Sequence, residues 1–455
     1  MEKKLRQYQH KAIDFALANK SVFDMIDLGL GKTAIASKVI EKVGLPAVVF
    51  APLRVCYNTW VDELKTWTPN LSYTVLHGPD KDKKIRQKRD VYLLNYEGIK
   101  WFYETMCKAK LRVKKMMVVY DESSLVKDSS TKRFKMLKKL DPIFSEYRMN
   151  LTATPSPNGL HDLWAQVYLL DNGARLGTSY PQFRDKYFRY LGPPTFKTLP
   201  LPDSEERIYN QINDIVFRLD AKDYLDMPEI VYNEIKVDLP SKVRGMYRTL
   251  ERDLAFKIRD VEIEVNNQAG LSSKIRQFMQ GAVYTGSPSD NPRTYEMVHT
   301  LKLDVLKEVI ESLNGAPVLC PIQFRFELDM IRKYFGKNIP YIAGGVSQAE
   351  SQKLIRAWND GLLPLLPCHP KSIARGLNLQ RGGHNVVWLG LPWSLDDFEQ
   401  LNGRLHRQGQ LYQVVVNSIQ IKDSLDETIM SVLKRKDRTQ RMLLDRVRER
   451  LGVYY

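Results

Sequence analysis

The chain has 455 residues, too many for one ordinary domain, so two or three domains are expected. Hydrophobic residues make up 43% and charged residues 27%, enough to fill real cores, which excludes a wholly disordered chain. Lys+Arg 69 against Asp+Glu 53 leaves a formal net charge of +16, so a polyanion, nucleic acid first, is the expected partner.

The opening MEKKLRQYQHKAIDF carries charges where a secretory leader needs an apolar stretch. No run approaches the ~18 apolar residues that cross a bilayer. A cytoplasmic protein without membrane contact is expected. Cys56, Cys107, Cys320 and Cys368 form no C-x-x-C pair, which points to a reducing compartment and to neither a zinc ribbon nor a disulfide framework.

In chain order, apolar runs at 22–26, 47–52, 90–96 and 116–122 predict buried strands of a parallel sheet. Thr33–Val43 and Trp60–Trp67 have helical spacing between them, so the first third predicts a βαβ-type domain. Trp60, Trp67, Trp101 and Trp164 sit in helix-like apolar patterns and are expected to be buried. Proline clusters at 191–202 and a charged helical stretch over Lys242–Val265 predict a linker with inserted helices. Sheet-like runs return at 316–322 and 384–391, giving a second α/β domain from about Tyr295. A last helix over Asp426–Leu451 buries one face. The basic tracts 80–90 and 430–455 read first as solvated faces that could also widen a nucleic-acid track.

Three pieces carry chemistry. The first is DLGLGKT, Asp27 to Thr33, between a predicted strand and a predicted helix. Gly29 and Gly31 let backbone N–H groups approach phosphate, Lys32 offers a charge to the β/γ-phosphates, and Thr33 offers a hydroxyl to Mg²⁺. Ile26 stands where the full phosphate-loop pattern has a glycine, so a plain Gly-Lys-Thr turn at a helix start is the alternative. The second is MMVVYDE, a strand delivering Asp121 and Glu122 to its carboxyl end, costly unless a cation needs them. Asp121 would hold Mg²⁺ and Glu122 would deprotonate the attacking water. In the third, Gln400, Arg404 and Arg407 fall at i, i+4 and i+7, which predicts one helix face able to clamp phosphate; a solvated basic face is the alternative. No histidine, His369 and His406 included, shows metal-ligand spacing, and no structural metal is predicted.

Taken with these pieces, the chain resembles the superfamily-two helicases, and within them the Swi/Snf-type double-stranded DNA translocases, most of all their compact phage and bacterial members. LRQYQ (5–9) is similar to the family's adenine-reading segment, with Arg6 and Gln9 in the corresponding places, and DLGLGKT to its phosphate loop, where the first glycine is also absent. APLRVCYNTWVDELKTW (51–67) resembles motif Ia and its following helix, LNYEGI (94–99) motif Ib, DESS (121–124) the DEAH-type box, and LTATP (151–155) the coupling motif III, with Thr152 and Thr154. VLCPIQFRFELDMI (318–331), IARGLNLQ (373–380) and QLNGRLHRQGQ (400–410) resemble motifs IV, V and VI. Two places depart from the pattern: Ser124 replaces the histidine that helps connect nucleotide state to motif III, and Arg375 precedes Gly376 with Ser372 upstream in motif V.

The resemblance implies an α/β fold of two RecA-like lobes, parallel sheets flanked by helices, with a helical insertion between them. It places lobe one at 1–190, a linker, closing strand and helical insertion at 191–294, lobe two at 295–425 and a basic C-terminal helix packed on the lobes at 426–455. ATP and Mg²⁺ would be held by Arg6, Gln9, Gly29, Gly31, Lys32, Thr33 and Asp121, with Glu122, Gln400, Arg404 and Arg407 completing the catalytic set. Thr152 and Thr154 would couple. Arg54, Asn95, Tyr96, Gln323 and Arg375 would touch nucleic acid, double-stranded or branched DNA with little sequence preference. The expected activity is a DNA-stimulated ATPase that translocates on duplex DNA and remodels forks, junctions or protein–DNA complexes. A strand-separating DNA or RNA helicase is the enzymatic rival, and a non-catalytic nucleic-acid clamp or host-factor inhibitor is the rival of another class.

Overall fold

The continuous apolar runs become strands because both faces of each are covered. In the computed structural model, which describes residues 4–108, 115–191, 198–225, 227–259, 273–285, 294–336, 338–373 and 377–450, they build β1 (Ser21–Ile26), β2 (Ala47–Ala51), β3 (Tyr73–Val75), β4 (Val91–Asn95), β5 (Met116–Asp121) and β6 (Phe144–Thr152). A short antiparallel pair, β7 (Phe188–Tyr190) and β8 (Thr198–Pro200), precedes β9 (Val216–Leu219). Every residue of β2, β4 and β5 is buried, as a parallel sheet packed on both sides requires.

The first unit runs to Leu225 and also takes the chain from Lys436. Its seven-stranded sheet has the order β3-β4-β2-β5-β6-β1-β9, all pairs parallel. Phe50 anchors the core, stacked on Tyr120 with ring centroids 5.7 Å apart and edge-on to Phe102 at 6.0 Å. In this order β5, β6 and β1 are neighbours, so the ends of three parallel strands open on one edge of the sheet, where ligands of α/β sheets bind.

The second unit, Asp226–Arg435, contains β10 (Val231–Val237), β11 (Ala282–Tyr284), β12 (Tyr295–Met297), β13 (Val318–Pro321), β14 (Leu365–Cys368), β15 (Asn385–Trp388) and β16 (Val415–Ile421). Its five-stranded parallel sheet has the order β10-β16-β15-β13-β14, beside the antiparallel pair β11–β12. A buried ion pair sits in its core. Lys302 Nζ lies 2.7 Å from Asp426 Oδ2 and donates to Leu389 O at 2.9 Å and Gln280 Oε1 at 3.2 Å. With its donors occupied, that ammonium tolerates burial.

Two helix-flanked parallel sheets make this an α/β protein of two RecA-like lobes. Residues 191–294, read in the sequence as linker, closing strand and insertion, contribute β9 to the first sheet, β10 to the edge of the second, and the helix Ser241–Arg259. The helix Leu425–Arg450 spans the last 26 residues described, and from Lys436 it belongs to the first unit. Among the described residues no helix is long and apolar enough to cross a membrane.

Candidate active site

Strand β1 runs directly into the glycine turn. Gly29 and Gly31 have φ of 89° and 82°, left-handed values that cost a side chain dearly. A Cβ at Gly31 would also come within 2.4 Å of Gln9 Nε2 and push that amide from its place. Gly31 caps the twelve-residue helix Lys32–Val43, whose first N–H groups have no partner within the helix and suit an anion. Lys32 Nζ is buried and has no hydrogen-bond partner among the described residues. The turn is anchored from below: Asp27 N donates to Leu219 O at 3.0 Å, and Asp27 Oδ2 accepts from Ala221 N at 2.9 Å. Burial raises the Asp27 carboxyl above its ordinary range despite that hydrogen bond.

Gln9 is buried and holds the same turn from the side. Its Nε2 donates to Leu30 O at 3.2 Å, while its Oε1 accepts from Arg6 N at 2.8 Å. One amide N–H and one carbonyl lone pair remain for a base edge. Arg6 is exposed and donates to Tyr224 O at 3.3 Å.

Strand β5 delivers its two acids to the neighbouring strand end. Asp121 is nearly fully buried, and Oδ2 accepts the Trp60 indole N–H at 2.8 Å. Burial raises its carboxyl to about 6; the adjacent Glu122 pushes the same way and Lys32 opposes. Glu122 is held at φ 56°, ψ 55°, a left-handed conformation rare outside glycine and characteristic of functional turns. Between these strands, β6 ends in Thr152, whose Oγ1 accepts from Thr154 N at 3.0 Å. Register aligns the three ends: Met25 lies opposite Thr152, and Asp121 opposite Leu151. Lys32, Thr33, Asp121, Glu122, Thr152 and Thr154 are thus gathered on one sheet edge.

The nucleic-acid candidates of this unit divide. Arg54 stands half-buried in the first turn of the helical run that continues to Trp67. Asn95 is nearly buried, its Nδ2 donating to Glu97 Oε2 at 2.9 Å. Tyr96 points inward, its hydroxyl donating to Asp121 O at 2.9 Å, so this side chain supports the acidic strand end instead of facing solvent.

In the second unit the expected helix face does not form. The helix Leu395–Asn402 carries Gln400 but ends before Arg404 and Arg407, which lie in the turns that follow. Gly403 is the stop, and the backbone tightens there, Arg404 N donating to Leu401 O at 2.9 Å and Leu405 N to Asn402 O at 3.1 Å. Gln400 is buried and donates to Asp396 Oδ1 at 2.8 Å. Arg404 Nη1 donates to Leu377 O at 3.3 Å, and Arg407 Nη1 to Asn378 Oδ1, which locks this turn onto the segment 377–380. Arg375 lies outside the described residues. Gln323 is tied inward: Nε2 donates to Gly390 O at 3.1 Å, and Oε1 accepts from Arg276 Nη2 at 3.2 Å. Burial raises the neighbouring Glu327 carboxyl to about 7, although N–H groups of Gln323 and Phe324 hold it down.

Sequence reasoning missed Asp24. It is fully buried in β1, and neither carboxyl oxygen has a hydrogen-bond partner among the described residues. Burial raises this group to about 8, with the Lys32 charge opposing. An acid inside the apolar run VFDMI was the available signal. Gln166 was missed as well, although a glutamine inside LWAQVYLL is equally conspicuous. The indole–carboxylate bond of Trp60 had no signal beyond its expected burial.

Residues 3–283 match the family model of the SNF2-related domain, and residues 301–409 that of the helicase conserved C-terminal domain. Protein p41 of Acyrthosiphon pisum secondary endosymbiont phage 1 is 31% identical over 98% of this chain and 99% of its own length. The CHD3-type chromatin-remodeling factor PICKLE of Arabidopsis thaliana is 25% identical over 90% of this chain, which spans only 32% of that protein. Among solved structures, the Sulfolobus solfataricus SWI2/SNF2 ATPase core in complex with dsDNA is 24% identical with a TM-score of 0.44, covering 95% of this chain and 91% of that one.

Proposed function

We propose, for a chain that belongs to the SNF2-related family and is an ATP hydrolase of the helicase and translocase type, that it is a motor translocating on double-stranded DNA and remodelling forks, junctions or protein–DNA complexes. The observation that carries this reading is the convergence of glycine turn, acid pair and threonine turn on the ends of β1, β5 and β6.

The residues fit a triphosphate with Mg²⁺. Lys32 Nζ is a buried cation without a hydrogen-bond partner among the described residues, Gly31 has a left-handed φ that favours bare backbone, and a hydroxyl with a carboxylate is a hard-oxygen set. Thr33 and Asp121 would hold the metal, which when bound offsets charge on the β- and γ-phosphate oxygens. Lys32 and the helix N–H groups orient the phosphates, and Gln9 and Arg6 take the base. Glu122 accepts the proton of the attacking water. Gln400, Arg404 and Arg407 keep the proposed role of a clamp on phosphoryl oxygens. Arg54 and Asn95 are the nucleic-acid contacts proposed for the first unit, and Arg375 for the second. Gln323 and Tyr96 act there through the groups they hold.

DNA is the preferred track because the net charge of +16 suits a polyanion and because PICKLE is named for chromatin remodelling. Phosphate release measured with duplex DNA, branched DNA, single-stranded DNA and RNA is the test. Duplex or branched DNA should stimulate most. Stimulation by RNA alone would favour an RNA helicase, and no phosphate release with any polynucleotide a non-catalytic clamp.

A further inference from the structure

The link from the acid pair to the threonine turn does not run through the place the family pattern suggests. Ser124, which stands where the DEAH-type box has its histidine, is buried, and its Oγ has no hydrogen-bond partner among the described residues. The preceding residue is engaged instead. Ser123 Oγ donates to Gln166 Oε1 at 2.7 Å. Gln166 Nε2 then donates to Pro155 O and to Asp162 O, each at 2.7 Å. Its backbone is pinned too, Gln166 O accepting from Asn150 Nδ2 of β6 at 2.9 Å.

We propose that Gln166 is a positioning residue that couples the Glu122 turn to the Thr152–Thr154 turn, in the role the missing histidine would fill; this rests on the motor reading above. Ser123 and Gln166 are both fully buried. Gln166 lies on the helix His161–Asp171 between Leu163, Val167 and Leu170, where an amide is tolerated only if its polar atoms are satisfied. Both amide hydrogens and the carbonyl oxygen are used, so moving any one partner alone would strand a buried polar atom. Ser123 adjoins Glu122 in the chain, and Pro155 adjoins Thr154. A shift of the strained Glu122 turn is therefore passed to the carbonyl of Pro155 as one unit. Both halves of the relay belong to the first unit, so the coupling needs no contribution from the second.

The full chain carrying Gln166→Leu, Ser123→Ala or both is assayed for phosphate release with and without duplex DNA, and for its unfolding midpoint. Basal turnover should stay within about twofold of the unaltered chain while the stimulation ratio falls about fivefold or more, within the usual range of site coupling. The double variant should lose no more than the worse single variant, as members of one chain of hydrogen bonds do. Equal loss of basal and stimulated turnover together with a lowered midpoint would reduce Gln166 to a packing residue and overturn the proposal, as would an unchanged ratio. Ser123→Ala removes one oxygen atom and gives the readout if Gln166→Leu does not fold. An unaltered chain that no polynucleotide stimulates would fail the motor reading itself, and this proposal with it.

Discussion

Lys32→Ala should lower ATP turnover by at least ~10²-fold with the fold retained. Lys32 Nζ is buried beside the acid-bearing strands without a hydrogen-bond acceptor among the described residues, an arrangement that stores a cation for an incoming anion. Its removal takes away the charge that orients the β/γ-phosphates. It leaves Gly31, the helix start and the Gln9 contact untouched. Alanine is a strong helix former at that position, so the Lys32–Val43 helix should persist. Asp24 would lose the cation that opposes its raised pKa and stay protonated at neutral pH, which leaves no new buried charge. Phosphate release and circular dichroism on the same sample provide the check. Retained turnover would remove Lys32 from the site.

Asp24→Asn should remove a pH dependence of stability that runs between the ordinary carboxyl value of 3.8 and about 8. The folded state holds the Asp24 proton up to about pH 8, whereas the unfolded chain releases it near the ordinary carboxyl value of 3.8. The folded pKa is the higher one. Its stabilising contribution is therefore fully present below the unfolded value and declines as pH rises toward the folded value. Across that window the accumulated penalty reaches on the order of 5 kcal/mol, at ~1.4 kcal/mol per pH unit. Asparagine does not titrate, so the variant's advantage should be small near pH 4.5, about 1 kcal/mol, and grow steadily toward pH 8. Unfolding midpoints at pH 4.5, 6 and 8 give the comparison. A difference independent of pH would mean that Asp24 has a partner that keeps it ionised.

What was legible in the sequence follows from how each element is buried. Strands β2, β4 and β5 are covered on both faces and read as unbroken apolar runs. Strand β10 lies at a sheet edge with most of its side chains partly or wholly exposed, so VYNEIKV carries no such run. Its neighbour β16 buries Asn417, Ser418 and Gln420, which satisfy one another and β10: Asn233 Nδ2 donates to Asn417 Oδ1 at 3.1 Å, Ser418 Oγ to Asn233 O at 3.2 Å, and Gln420 Nε2 to Ser418 Oγ at 3.0 Å. A polar sheet interior hides a strand from any reading based on apolar periodicity. The spacing of Gln400, Arg404 and Arg407 fitted a helix, but Gly403 inside that run was a stop signal of equal weight. Motif residues were legible because their chemistry is local. The partners of Asp121 and Ser123 were not, since Trp60 and Gln166 approach from elements distant in the chain.

The most direct test of the motor reading is ATP-driven displacement of a third strand from a DNA triplex, with the distance between loading site and third strand varied. A motor tracking the duplex should displace it after a delay that lengthens with distance, and the Lys32→Ala chain should not displace it at all. Hydrolysis stimulated by duplex DNA but with no displacement at any distance would contradict the account and leave an ATP-gated clamp in its place.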